Sequence, residues 1–278
     1  SFGAALQYFT GDKFHNIALR EIAIKKGYKL NEYGLFRSLA SRSLRSKASG
    51  ARTEEKIYKA FGLDWIPPEL RINSGEIDAA QKGKLPNLIE YGSLKGDLQV
   101  QTNWTDGANS IKEMAEAAKK IDLEYIVITD HTRSLAMTGG LDEKKLLKQM
   151  IEIDKVQKQV SGIKILKGAE VNILKDGRLD ISDEVLAKLD VVGGAVHSNF
   201  NLSEKEQTQR IVRAMENPNI DVIFHPTGRI IQKREPYKVD IEALIKAAKK
   251  TKTVLEIDAY PNRLDLKDQY IRKAVEAG

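Results

Sequence analysis

Two patterns of apolar and polar positions divide the chain. Across residues 96–278, short and nearly continuous apolar runs alternate with longer stretches of helical spacing. Residues 96–102 (GDLQVQT) and 124–130 (EYIVITD) predict strands, as do 163–174, 191–197, 222–225 and 254–259. Consecutive apolar positions are expected where both faces of a strand are covered. Apolar residues three and four apart predict helices over 110–120, 142–160, 203–216, 240–250 and 266–277. Strand and helix therefore alternate about six times, the order that builds parallel βα units. This is an α/β pattern, and six units favour a barrel over an open sheet. A closed barrel needs a further strand, and the chain stops where that strand should begin.

The front part reads differently. A helix is predicted over 13–26, ended by Gly27. Between Arg37 and Lys59 lie seven basic and two acidic residues with much Ser and Gly. Such a run is either a solvated loop or a nucleic-acid contact. Trp65-Ile66-Pro67-Pro68 closes this unit, and 73–95, with its Gly, Ser and Pro86, reads as a linker. The expected organisation is 1–72, a linker over 73–95, and 96–278.

Charge sharpens that division. The formal net charge is +6, and the excess lies in front: residues 1–95 hold 16 basic and 10 acidic residues, and 96–278 hold 29 of each. A basic unit ahead of a neutral one suggests an anionic partner for the first. The absence of Cys excludes a disulfide framework, a thiolate metal site and a cysteine nucleophile. No apolar run approaches the roughly 20 residues that cross a bilayer, and no signal peptide opens the chain. The expected setting is the cytoplasm, with no membrane. A start at Ser1 and a stop at Gly278, just after a helix, suggest a fragment.

Three of the four His residues follow predicted strands: His131, His197 and His225. In βα barrels that end of the strands carries the active site. Glu170 lies within the third strand, and Asp106 and Asp130 flank the first two strand ends. Imidazoles with carboxylates and no thiols suit Zn2+, Mn2+ or iron. Several on one face favour more than one cation, and so metal-assisted hydrolysis of phosphate esters. No G-x-S-x-G elbow or Walker-type loop is present. Arg229 is either a phosphate contact or a surface residue closing a turn, and Arg133 is equally open. Asp258 is either a ligand or a capping residue.

With these residues in place, a family resemblance is plain. Residues 96–107 (GDLQVQTNWTDG), 128–131 (ITDH), 168–174 (GAEVNIL), 195–198 (AVHS) and 225–229 (HPTGR) resemble the PHP (polymerase and histidinol phosphatase) domain, in the version fused to bacterial and archaeal family X DNA polymerases. Residues 8–20 (YFTGDKFHNIALR), 52–58 (RTEEKIY) and 66–71 (IPPELR) resemble the thumb of those polymerases. The resemblance implies a small α+β thumb, then a distorted (βα)7-type barrel that ends before its last strand. It implies that Tyr8 and Phe9 pack beside the sugar of an incoming dNTP, with Gly11 giving a tight bend. Asn16 and Arg20, four apart on one helical face, would reach the nascent pair and the template. The metal ligands map onto Asp106, His131, Glu170, His197 and His225, with Glu170 bridging two cations. Glu170, His131 and Arg229 would carry the catalysis. The carboxylates that bind the nucleotide Mg2+ belong to a palm upstream, so the chain as given should not polymerise DNA.

Two departures from the family pattern stand out. The opening His-x-His is Gln99-Val100-Gln101 here, and an amide oxygen is a poor transition-metal ligand. The closing Asp-x-His is absent before Gly278. The implied function is the thumb and PHP part of a DNA repair polymerase, its PHP domain a Mn2+- or Zn2+-dependent phosphoesterase trimming 3′ ends of DNA. The alternative is a degenerate PHP domain acting as a structural or DNA-binding module. No protein partner can be inferred.

Overall fold

The computed structural model describes residues 1–37 and 52–278. The basic stretch expected as a loop or DNA contact falls largely in 38–51, outside the described residues. The chain forms two compact units, Ser1–Ile89 and Glu90–Gly278.

Unit 1 holds helices α1 (Phe2–Thr10) and α2 (Lys13–Lys25), an antiparallel hairpin of β1 (Tyr28–Asn31) and β2 (Gly34–Arg37), and helices α3 (Glu54–Ala60) and α4 (Glu76–Gln81). Asp12 starts α2 by accepting the His15 N–H at 2.7 Å, the usual N-cap arrangement. Ala4, Leu19, Leu35, Ile57 and Ile66 form its core.

The predicted linker divides. Its first part contains α4, whose Ala80 joins the core with Ile77 and Leu85 packed against it. Glu76 fixes the helix start: its carboxylate accepts the N–H groups of Asn73 (2.9 Å) and Ser74 (2.7 Å) and pairs with buried His15 at 2.6 Å. Residues up to Ile89 therefore belong to unit 1, and Trp65–Pro68 does not close it.

Unit 2 is a run of βα units. In order it comprises β3 (Gly96–Val100), α5 (Ile111–Lys120), β4 (Tyr125–Ile128), α6 (Glu143–Gln157) and β5 (Lys164–Asn172). Then come α7 (Asp183–Leu186), β6 (Val191–Ala195), α8 (Glu204–Met215), β7 (Val222–Ile223), α9 (Ile241–Thr251), β8 (Val254–Leu255) and α10 (Asp268–Ala277). All six strands pair in parallel and in sequence order, β3-β4-β5-β6-β7-β8, in a curled half-barrel sheet. Each strand feeds a helix that returns on the sheet, and a parallel neighbour needs that return. Ser110 with Glu113 and Ser203 with Glu206 form capping boxes at the starts of α5 and α8. Ile111, Ile126, Ile128, Ile153 and Ile165 form one core cluster. Val171, Val192, Ile211, Ile223 and Leu244 belong to a second. Among the described residues, no helix is long and apolar enough to cross a membrane.

Candidate metal centre

The parallel sheet brings the C-terminal ends of its strands to one rim, where the polar residues of 99–106, 129–132, 170–172, 197, 225 and 256 gather. Period-two alternation selects those that point together. Gln99 and Gln101 flank buried Val100, and Glu170 and Asn172 flank Val171.

Glu170 is the hub, with 1% of its surface exposed. His197 Nε2 lies 3.0 Å and His225 Nε2 2.9 Å from its Oε1. Gln99 and Gln101 donate their amide N–H groups to its Oε2 at 3.2 and 3.1 Å. His131 Nδ1 is 3.4 Å from the same oxygen, and His131 Nε2 is 3.6 Å from Asp106 Oδ1. All five ligands that the resemblance implied thus lie in one cluster. His131, Glu170 and His197 each offer a ligand atom, all within 4.8 Å of one another.

Surrounding residues fix these rings. His197 Nδ1 bonds Asn172 Oδ1 at 2.8 Å. Asn172 donates its amide N–H groups to Thr132 Oγ1 and Asp180 Oδ2, both at 2.9 Å. Its oxygen therefore faces His197, whose Nδ1 must be the donor, which turns Nε2 toward Glu170. His225 takes a positive φ of 30°, costly for a non-glycine residue. Its N–H is held by Glu256 Oε2 at 2.6 Å, and the Thr227 N–H and hydroxyl bond Asp265 two residues on. Asp130 accepts from Thr102 N (2.7 Å), Thr102 Oγ1 (2.6 Å) and Gln149 Nε2 (2.6 Å), pinning the ends of β3 and β4.

Electrostatics follow from this burial. Burial pushes the Glu170 carboxyl up, but the His197 and His225 hydrogen bonds outweigh it and hold the group well below the usual carboxylate range. At His197 burial prevails over the pull of Glu170 and favours the neutral ring. At His225 burial is outweighed by the Glu170 bond, and the ring is raised. Burial lifts Glu256 to about 7.

These residues fit a divalent cation. His131 Nδ1 is buried, has no hydrogen-bond partner, and sits within ion-pair range of a carboxylate. In its neutral form, with Nδ1 donating to Asn172, the His197 ring leaves its Nε2 lone pair for a cation beside Glu170 Oε1. Nitrogen and oxygen ligands each about 2.0–2.2 Å from a tetrahedral ion lie about 3.3 Å apart, close to the spacings found.

Other expected residues are placed elsewhere. Arg229 donates its guanidinium to the carbonyls of Arg263 (3.0 Å) and Leu264, closing a turn rather than facing the cluster. Arg133 pairs with Glu143 at 3.1 Å. Asp258 accepts the Tyr260 N–H at 3.0 Å and pairs with Arg263 at 3.3 Å. In unit 1 the Asn16 amide donates to the carbonyls of Tyr8 (2.9 Å) and Gly11 (3.2 Å), and its oxygen accepts from Gln7 (2.8 Å). It clamps α1 to α2, with both amide protons engaged within the unit. Gly11 is extended at φ −96°, so no left-handed bend requires glycine there. Space does, because a Cβ would lie 3.1 Å from the side chains of both Asn16 and His15. Phe9 is 75% exposed, and the Arg20 guanidinium lies 5.1 Å over the Tyr8 ring.

Asn172, Asp180 and Glu256 join the centre from outside the residues that the sequence pattern marks. Asn172 carries a signal, since it lies two residues after Glu170 on the same strand face. The roles of Asp180 and Glu256 depend on contacts across the fold.

Fold and cluster together define the chain's class. Residues 97–259 match the PHP domain family, more than half of the chain, and residues 5–72 match the DNA polymerase beta thumb. The chain belongs to the PHP domain family, with a polymerase thumb ahead of the PHP domain. Along its whole length it aligns with the C-terminal part of the DNA polymerase/3'-5' exonuclease PolX of Bacillus subtilis. The two are 42% identical over 277 residues, 100% of this chain and 47% of that protein. A probable phosphatase of Caldanaerobacter subterraneus is 33% identical over 154 residues, 54% of this chain and 56% of that protein. A probable phosphatase of Syntrophotalea carbinolica is 30% identical over 166 residues, 58% of this chain and 64% of its own length. The chain thus spans about half the length of the curated relatives it matches. A solved histidinol phosphate phosphatase from Lactococcus lactis aligns at a TM-score of 0.47 and 15% identity, over 66% of this chain and 82% of that one. At that distance the likeness decides nothing.

Proposed function

We propose that the PHP domain is a metal-dependent phosphoesterase that removes nucleotides from 3′ ends of DNA, and that the thumb holds the DNA. The observation that carries this reading is the buried Glu170 carboxylate with three imidazoles directed at it, which a purely structural core would not need. Asp106, His131, Glu170, His197 and His225 would hold the cation, Mn2+ or Zn2+ by the nature of the donors. When bound, such an ion supplies Lewis-acid polarisation of a phosphoryl group.

The chain's own residues do the rest. The His131 and His197 side chains are 12% and 15% exposed, whereas His225 and Glu170 are 4% and 1% exposed. A phosphate therefore meets the His131 and His197 edge first, with Glu170 and His225 as the dry floor. Asn172 keeps the His197 proton on Nδ1, and Glu256 holds the strained His225 turn. Arg229 leaves the developing charge to the imidazole edge. The basic front unit accounts for affinity for DNA, and a cytoplasmic setting fits that substrate. The palm with its Mg2+ ions, and dNTP binding beside Tyr8 and Phe9, belong to the parent polymerase in this reading.

The test is release of nucleotides from a 3′-labelled oligonucleotide in Mn2+, comparing the chain with its Glu170→Gln variant. The expected result is cleavage that falls at least about 100-fold in the variant, the scale of losing an electrostatic catalytic group. Equal rates would sink the proposal. A second reading, a PHP domain without catalysis, draws on the Gln99 and Gln101 amides bonded to Glu170. It predicts no cleavage and no tightly held ion.

A further inference from the structure

The two glutamines do more than fail to be histidines. Gln101 donates its amide N–H groups to two acceptors, Glu170 Oε2 at 3.1 Å and the Thr129 carbonyl at 3.4 Å. Turning that amide over would set its oxygen against both. Gln99 donates to the same Oε2 at 3.2 Å. A carboxylate only accepts, so both amides must present nitrogen to it. Their own oxygens are thereby directed away from Oε2. The strand leaves little freedom for another arrangement: Val100, between them, is 5% exposed, and its N–H bonds Thr129 Oγ1 at 2.9 Å. Amide protons thus compensate one carboxylate oxygen. Oε2 also has the His131 Nδ1 atom 3.4 Å away, whereas Oε1 is approached, among the described residues, by the Nε2 atoms of His197 and His225, which can present lone pairs to an ion.

We propose that the Gln99 and Gln101 amides take the place of a cation on Glu170, so that the centre binds one divalent ion, on its Oε1 side. This rests on the metal-dependent reading above. An ion on Oε2 would have to displace both amides, and Gln101 would lose its Thr129 contact as well. Imidazoles at 99 and 101 carry no such obligation and should reopen that position.

The experiment counts ions by mass spectrometry on the full chain, stripped, loaded with Mn2+ or Zn2+ and gel-filtered. Glu170→Gln gives the background, and circular dichroism confirms folding. The expected result is one ion per chain, rising to two in Gln99→His/Gln101→His. The single Gln101→His variant serves if the double one does not fold. Two or more ions in the unaltered chain would overturn the inference alone, as would a folded His variant that still binds one. No ion in either protein would overturn the metal-dependent reading together with it.

Discussion

At the scale of single residues, the groups that touch the candidate ion are only part of the centre. The His197 ring is oriented by Asn172, which is itself oriented by Asp180 and Thr132, all of them buried. Partners behind a ligating imidazole typically change metal affinity 10–100-fold. Asn172→Ala should therefore weaken Zn2+ binding by about 10–100-fold, measured by competition with a fluorescent chelator, with little change in fold. Asn172→Asp still accepts from Nδ1 but sets a second buried carboxylate against Asp180, where the amide donated, so it should restore the affinity only in part. Equal affinity in the Ala variant would mean that the ring is held by packing alone. This network shows where sequence reading stops. The three strand-end imidazoles and Glu170 announce themselves through position and chemistry. Asp180 reaches Asn172 across a turn and Thr132 from 48 residues away, and no local pattern marks such a pairing. Arg229 fails for the converse reason. Its neighbour His225 is in the centre, but the guanidinium finds backbone carbonyls first.

At the scale of elements, helices were legible to within a residue or two where amphipathic spacing and caps agree, as in α5, α8 and α9. The apolar runs extend past the strand ends. Residues 256–259 and 196–197 continue the apolar pattern but leave the ladder to present side chains at the rim. The misread element is α4, a short helix with two apolar anchors in a polar stretch, identifiable only through its buried His15–Glu76 contact. That contact also sets a pH response. Burial lowers the His15 pKa, against the pull of Glu76. Burial raises Glu76, and the bonds from His15, Asn73 and Ser74 overcompensate, so it too is lowered. Both folded values lie below the unfolded ones, so both contributions are full at neutral pH and fade on acidification. Loss should begin as pH falls below about 6.5, where the unfolded histidine takes up a proton, and resume below about 4.3 for the carboxylate. Urea midpoints followed by Trp65 fluorescence in a Trp104→Phe background should fall in those two windows, and Glu76→Gln should abolish the lower one. A midpoint flat from pH 7 to 4 would refute this. Packing in β6 gives a second check. A Cβ on Gly193 would sit 2.0 Å from the Phe224 ring, next to His225. Gly193→Ala should cost about 1–3 kcal/mol, roughly 2–12 °C in Tm. An unchanged Tm would show that Phe224 can move aside.

At the scale of the whole molecule, the two units divide charge as they divide chemistry. The excess of basic residues precedes the PHP domain, whose own charges balance, and the centre itself is a buried cluster with little reach for a long polyanion. Affinity for DNA should therefore come from the front unit, through counterion release. Each phosphate neutralised contributes a slope of about −0.9 in log K against log salt for duplex, and about −0.7 for single strands. Lys25, Lys26 and Lys29 lie together around the end of α2 and the start of β1. Replacing all three with Ala should flatten the slope by as much as about 2–3 and weaken binding at low salt. Lys144, Lys145 and Lys148 on α6 supply an equal charge change in unit 2, and their replacement should leave the slope nearly unaltered. Fluorescence anisotropy with a gapped oligonucleotide across a range of salt concentrations reads both. Equal flattening in the two triple variants would mean that the PHP domain shares the duplex, and that the division of labour inferred from charge does not hold. A slope near zero for the unaltered chain would exclude phosphate contacts as the source of affinity, and with them the reason for placing a basic thumb before this centre.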